Sequence, residues 1–423
     1  MTKRPAKAEP AGRRVLLLSH SHPKLTRGGA EMAAVALQAG LNAQPGWQAF
    51  LAGATMDPGG ARAGSPITQP FGEDDYLYTV GAFGWFNFAN RDRNFPRAFA
   101  DMLHEVRPEV LHFHHYLSFG VDTFALVRRT LPDAKIVLTL HEFQAICNHY
   151  GQMIKSDGHT LCREATPRDC NRCFSQFSRA DFFLRQMYIQ RFFALVDQFV
   201  APSQFLADRY IAWGIPAEKM RVLENVIASP APAAAVARQD TLFRVGFFGQ
   251  VSRLKGVNVL LDAADRLADE KSAVTFDIHG DDSNQPDEFR ADFAQRRQLA
   301  GHNVRFHGAY DNARVDGLMR NVDVVVVPSI WWENSPIVIQ EALRNRKPII
   351  CSDIGGMAEK VRPGLDGWHI PVGDAPALAD LLRQLAGDRK AVAAMGKTMR
   401  AAATPADGVA AHITLYDALF SRP

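Results

Sequence analysis

The chain opens twice in the same way, and this repetition limits the possible folds more than any other feature. Residues 13–20 (RRVLLLSH) form a short apolar run, followed by a loop with Gly28-Gly29 and the helical stretch AEMAAVALQAGL. Residues 243–250 (FRVGFFGQ) repeat the pattern, with a loop ending at Lys255-Gly256 and the helical stretch VNVLLDAADRL. Further strands are predicted at 47–54, 110–115, 135–141 and 198–203, then at 274–280, 303–308, 322–328 and 348–353. Short apolar strands alternating with helices are buried on both faces, as in a parallel sheet covered by helices. The pattern predicts an α/β chain of two doubly wound, Rossmann-like units facing across a cleft. Ligands are expected at the C-terminal ends of the strands.

At 423 residues the chain is long for one core and comfortable for two. We expect a disordered tail at 1–12, a first domain at 13–228 and a linker at 229–241, beginning SPAPAAAVARQ. A second domain at 242–405 and a closing helix at 406–423 follow, and the sequence does not say which domain that helix packs on. The apolar content of 47% and charged content of 22% are those of a globular protein. A net charge of +3 is too small to point to nucleic acid. Residues 1–14 are basic, and the apolar run after them ends at Leu18, too short for a signal peptide. No apolar stretch approaches the roughly 20 residues that span a bilayer. The expected location is cytoplasmic, at or near the inner face of the cell membrane, with the five cysteines reduced.

Residues 322–356, VDVVVVPSIWWENSPIVIQEALRNRKPIICSDIGG, read as strand, loop, helix, strand and glycine turn. Ser335 suits an N-cap and Pro336 the first helical position. Such a helix start presents free amides and a positive dipole end to the loop before it. Glu333 lies just ahead of that start and Glu341 more than a turn inside it. A diphosphate at the amides and sugar hydroxyls at the carboxylates would fill such a site. Gly28-Gly29 suits close approach of backbone to a phosphate, and equally an ordinary loop. Lys255 would place an ammonium at the cleft to neutralise a leaving diphosphate, or be a solvated lysine at a helix start. Arg253 is a possible second cation. His141 ends a strand where ligands bind, and His112, His114 and His115 end another; all four also suit a satisfied core. Neither opening carries G-x-G-x-x-G, which speaks against hydride transfer.

Cys147, Cys162, Cys170 and Cys173 lie in one polar loop, the last two as C-x-x-C. A structural zinc site with tetrahedral thiolates is expected, set against a plain reduced cluster, with His149 or His159 as substitute ligands. Residues 177–200 mix Phe, Leu, Met and Ile with Arg179, Arg185 and Arg191. They suit a helix on an anionic membrane surface, but a core helix with a basic outer stripe is preferred. Residues 82–95 (AFGWFNFANRDRNF) are a second candidate for acceptor or lipid contact.

Together these residues resemble the retaining, two-domain (GT-B) glycosyltransferases of family 4. The likeness runs from about Arg13 to Phe420. It rests on Gly28-Gly29, His141, FFGQVSRLKG, IHGDD at 278–282, FHGAY at 306–310, and the E-x₇-E pair Glu333 and Glu341. It implies a UDP- or GDP-hexose donor, with Glu333 by the donor sugar, Glu341 on the ribose and His141 touching the sugar. Lys255 and the amides near Asn334, Ser335 and Gly28-Gly29 would hold the diphosphate, with Phe306 and Tyr310 around the base. Many members have arginine where this chain has Gln250, which shifts phosphate binding onto Lys255 and Arg253. The cysteine loop is similar to that of some bacterial members that build surface polysaccharides, so the implied acceptor is a glycan or lipid-linked oligosaccharide. The implied transfer needs no catalytic metal. Rival readings are an epimerase or phosphorylase on the same scaffold, and a non-catalytic nucleotide-sugar-binding subunit of a polysaccharide assembly complex.

Overall fold

The computed structural model describes residues 12–26, 28–57, 59, 65–158, 160–227, 242–268 and 274–421. The expected linker, and the expected tail apart from Gly12, lie outside them.

Two sheets carry the fold. The first half supplies β1 (Arg13–Ser19), β2 (Trp47–Thr55), β3 (Ile67–Thr68), β4 (Asp75–Thr79), β5 (Phe83–Gly84) and β6 (Ala89–Asn90). It continues with β7 (Val110–Phe113), β8 (Lys135–Thr139), β9 (Gln198–Ala201) and β10 (Met220–Val222). Eight of these form one sheet in the order β10-β9-β8-β7-β1-β2-β4-β3, parallel except for β3 against β4. β5 and β6 pair as a separate antiparallel hairpin. The second half supplies β11 (Phe243–Phe248), β12 (Val274–His279), β13 (Val304–Gly308), β14 (Val324–Val327), β15 (Ile349–Ser352) and β16 (Gly367–Ile370). They form an all-parallel sheet in the order β13-β12-β11-β14-β15-β16.

The two-unit α/β expectation is met, and the packing explains the sequence pattern. Val15 through Leu18 are fully buried, Leu16 and Leu18 in one core, Val15 and Leu17 in another. A strand covered on both faces has no solvent side on which to place a polar residue. Val324 to Val327 in β14 follow the same rule. In each sheet the chain winds outward both ways from its first strand, so the order reverses between β1 and β7 and between β11 and β14. Loops leaving the C-terminal ends of such a pair diverge and leave a crevice.

The closing helix, Pro405–Phe420, packs on the first unit. Val409, Leu415, Tyr416 and Leu419 join the cluster of Val15, Leu17, Leu37 and Leu41. The Tyr416 hydroxyl lies 2.6 Å from His112 Nδ1, and Arg13 pairs with Asp417 at 2.9 Å. Its start is fixed by Pro405 in the first turn and a reciprocal cap between Thr404 and Asp407. The strands β3, β4, β10 and β16 and the β5–β6 hairpin were not foreseen from the sequence.

Candidate functional site

The crevice between β11 and β14 holds the polar centre of the second unit. The loop after β11 carries Lys255 and the loop after β14 carries Glu333, and the two side chains meet with Lys255 Nζ 2.7 Å from Glu333 Oε1. Gly256 makes this approach possible. It adopts φ 74°, and a Cβ there would overlap the Pro328 carbonyl oxygen. Glu333 Oε1 also accepts from Ser329 Oγ at 2.8 Å and Trp331 Nε1 at 2.9 Å. Three donors on one oxygen hold a buried carboxylate in a fixed direction.

The helix after this loop is Ile337–Arg344, with Pro336 in the N-cap position and no side-chain cap. The expected N-cap, Ser335, lies one residue outside, because its hydroxyl is used elsewhere. It donates to Glu224 Oε1 at 2.6 Å, and Glu224 Oε2 takes the Lys360 ammonium at 2.6 Å. Asn334 is likewise held by the first unit. Its Oδ1 accepts from Ser203 Oγ at 2.6 Å and its Nδ2 donates to the His141 carbonyl at 3.2 Å. Gly29 sits against this helix start, its missing Cβ standing 3.5 Å from Ile337 Cδ1. The first helix of one half and the site helix of the other therefore abut, with Lys255 and Glu333 on the loops beside them.

Glu341 is buried inside the site helix. Burial pushes its carboxyl up to about 7, with Arg344 opposing and Asp316 adding to the shift. Tyr310 stands close enough that burial, and then the Glu341 charge, raise its phenol. Its ring lies edge-on to Phe248 and His279, with centroids 6.1 and 6.2 Å away. Phe248, His279 and His307 form a stack at 4.8 and 4.2 Å, and His307 Nε2 is 2.8 Å from Asp277 Oδ1. This aromatic wall at the ends of β11, β12 and β13 can take a planar ring. Phe306 is not part of it. Strand alternation turns it to the other face, against Phe293 and beneath Arg297. Gln250 and Arg253 are exposed, and an Arg253 guanidinium nitrogen lies 3.9 Å from where a Cβ on Gly158 would stand.

The facing edge of the first unit is lined by histidines. His141 Nε2 lies 3.3 Å from His114 Nδ1, His115 Nε2 lies 3.1 Å from Glu142 Oε1, and His20 Nδ1 lies 3.2 Å from Glu31 Oε1. Leu117 N donates to His115 Nδ1, which leaves Nε2 as the protonated nitrogen facing Glu142. Burial lowers His20 to about 4 and His115 and His141 to about 3, and raises Glu142 to about 8. At neutral pH this edge presents imidazoles without charge. His112 belongs to the core, bonded to Tyr416 and to Thr139 Oγ1 at 2.7 Å.

The four cysteines of the zinc expectation lie close enough for their charges to act on one another. Cys147, Cys162, Cys170 and Cys173 carry free thiols, and among the described residues no group of three or more Cys, His, Asp or Glu side chains could hold a metal ion. Cys162 Sγ donates to the Glu164 carbonyl at 3.1 Å, and His149 Nδ1 is 2.8 Å from the Ile154 carbonyl oxygen. His159 lies outside the described residues.

Sequence reasoning missed Ser329 and Trp331, which aim Glu333, and Glu224 and Ser203, which hold its loop. It gave no role of their own to Phe248, His279 and His307, which lie inside the motifs FFGQVSRLKG, IHGDD and FHGAY, and it missed the pairs His20–Glu31 and His115–Glu142. Most stand at or just after strand ends, the one signal that could have found them. Glu224 and Ser203 carry no motif.

Comparison with known proteins bears on the family and the fold. Residues 27–228 match the family described as Glycosyltransferase Family 4, and residues 233–402 match Glycosyl transferases group 1. The chain is 35% identical over 131 residues to a phosphatidyl-myo-inositol mannosyltransferase of Mycobacterium leprae, covering 30% of this chain and 33% of that one. It is 25% identical over 310 residues to a D-inositol 3-phosphate glycosyltransferase of Xylanimonas cellulosilytica, covering 70% and 67%. The match thus spans a third of the length of the first relative and two thirds of the second. The crystal structure of Anabaena Alr3699/HepE in complex with UDP and glucose has the same fold. Its TM-score is 0.64 at 19% identity, with 97% of this chain and 100% of that one covered. No helix among the described residues is long and apolar enough to cross a membrane. With two family matches that between them take in nearly the whole chain, and a shared two-sheet architecture, the chain belongs to the two-domain (GT-B) glycosyltransferases of family 4.

Proposed function

We propose that the chain is a retaining glycosyltransferase moving a hexose from a UDP- or GDP-linked donor to a glycan or lipid-linked oligosaccharide in bacterial polysaccharide synthesis. It would work on the cytoplasmic side of the membrane. The observation that carries this reading is the meeting of Lys255 and Glu333 in the β11/β14 crevice, beside the helix that buries Glu341. The second unit, 242–405, holds the donor: the base along Tyr310 and the aromatic wall, ribose hydroxyls at Glu341, and diphosphate at Lys255 and the helix start near Asn334 and Ser335. Glu333 lies by the donor sugar. The first unit, 13–228, holds the acceptor, with Gly28-Gly29 and His141 at the facing edge.

The chemistry follows from the charges. Lys255 shares Glu333 while no anion is bound, and a diphosphate with its greater charge competes for the ammonium. As the bond from anomeric carbon to phosphate oxygen breaks, negative charge grows on that oxygen, where a cation and helix-start amides stabilise it. The oxocarbenium-like centre is then attacked by an acceptor hydroxyl from the face the diphosphate leaves, and the proton passes to the departing phosphate. Configuration is kept without a covalent nucleophile. Protein cations and amides fill the part that a divalent ion plays in other transferases.

Lys255→Ala and Glu341→Ala should each lower transfer about 100-fold or more while the unfolding temperature stays near wild type. Wild-type rates in both variants would end the proposal. NMR of the product reads the anomeric configuration, and inversion would remove the retaining mechanism.

A further inference from the structure

The helix Arg179–Phe193 carries large apolar side chains on its outward face as well as its inward one, and buries a charge. Its inward stripe is Phe182, Arg185, Ile189 and Phe193, all buried, and so contains a guanidinium. Its outward stripe is Ala180, Phe183, Leu184, Met187 and Arg191. Phe183 is 55% exposed, Leu184 61% and Met187 51%. A surface helix normally buries its apolar side. Lone exposed hydrophobes need no explanation, but neighbouring ones on a single face do.

Arg185 fixes this arrangement. Its Nε donates to the Phe86 carbonyl at 2.6 Å, and its two terminal nitrogens donate to the Ala145 and Gln144 carbonyls at 2.7 and 2.8 Å. The β5–β6 hairpin is thereby tied to the helix, and Phe86 stacks on Phe177 at 4.0 Å and edge-on to Phe182 at 5.5 Å. Trp85, next to Phe86 in the hairpin that Arg185 ties to this helix, is 50% exposed. Exposed arginines accompany these side chains: Arg91 and Arg93 after the hairpin, Arg179 and Arg191 at the helix ends. The four arginines outnumber the three nearby carboxylates, Asp92, Asp122 and Asp181, whose hydrogen bonds come from neutral donors. Asp181 accepts from Ser178 in a helix cap, Asp92 from Asn94 N, and Asp122 from Asn90 N.

We infer that this face docks on an anionic lipid bilayer, with Trp85, Phe183, Leu184 and Met187 entering the boundary between headgroups and acyl chains, and Arg91, Arg179 and Arg191 meeting lipid phosphates. The charge selects the occupant. A second copy would bring the same arginines against one another, whereas an anionic surface neutralises them and takes up the apolar side chains. The inference does not use the transfer chemistry, since none of these residues lies in the β11/β14 crevice.

The test is co-sedimentation of the full chain with vesicles of phosphatidylcholine alone, or mixed with phosphatidylglycerol, at low and high salt. Binding is expected only to the mixed vesicles and to weaken in high salt. Phe183→Ser with Leu184→Ser should lower binding about tenfold or more, and Arg91→Gln with Arg191→Gln should remove most of the salt dependence. Leu299→Ser, an exposed residue of the second unit, serves as control and should bind as wild type. Thermal unfolding and UDP or GDP binding should be unchanged in all variants, so a failure of the nucleotide-site proposal would be seen separately. The inference is overturned if the wild type ignores anionic vesicles, if the serine variant binds equally well, or if light scattering shows a dimer that Leu184→Ser dissolves.

Discussion

Glu333 Oε1 receives a lysine, a serine and an indole, so each donor's contribution can be separated by substitution. Ser329→Ala removes one hydrogen bond to a charged group, a loss of about 1–2 kcal/mol, and should raise the donor KM roughly tenfold in steady-state assays. Glu341 gives a pH signature. Its folded pKa of about 7 stands above the ordinary 4.5, so its contribution to stability is complete below 4.5 and is lost as pH rises through 7. Glu341→Gln should therefore stabilise the ligand-free protein above neutrality by about 2 kcal/mol, read from urea unfolding at pH 8. Little or no gain there would mean that the carboxylate is not desolvated as described.

At the scale of elements, the site depends on loops pressed together. Gly256→Ala would push a Cβ into the Pro328 carbonyl at a left-handed φ. It should destabilise the protein by about 1–3 kcal/mol and lower transfer through Lys255, with both losses measurable on one preparation. The helix Arg179–Phe193 hangs on Arg185 in the same manner. Arg185→Met would leave the Phe86, Gln144 and Ala145 carbonyls without this donor. Faster hydrogen exchange in the β5–β6 hairpin is the expected outcome, since backbone groups there lose their anchor.

For the whole molecule, pH acts on two sets of buried groups. His20, His115 and His141 titrate far below 6.5, so the stability they contribute is present above 6.5 and declines as pH falls toward about 4 and then 3. Glu142 and Glu341 act in the opposite sense, with losses as pH rises from 4.5 toward about 8 and 7. The unfolding midpoint should peak between about pH 6 and 6.5, falling below it through the three histidines and falling from there to about pH 8 through the two glutamates. A midpoint that does not change between pH 5 and 8 would contradict the burial of these groups. The two units also share a polar seam, Ser203–Asn334–His141 and Ser335–Glu224–Lys360. Opening of the cleft must break it.

The α/β architecture was legible because strands buried on both faces demand unbroken apolar runs, a local property that any reader of residues 13–20 or 322–328 can see. Lys255, Glu333 and Glu341 were legible because strand-end loops carry ligands and because the acidic pair flanks a helix start. Which side chains meet was decided only by tertiary packing. Strand alternation sent Phe306 to the face opposite His307, away from the aromatic wall, and the demand of three carbonyls turned Arg185 inward, leaving Phe183, Leu184 and Met187 in solvent where a basic stripe was expected. Local composition prescribes which residues seek burial; the directions in which they point depend on partners distant in the chain, and only the folded molecule supplies those.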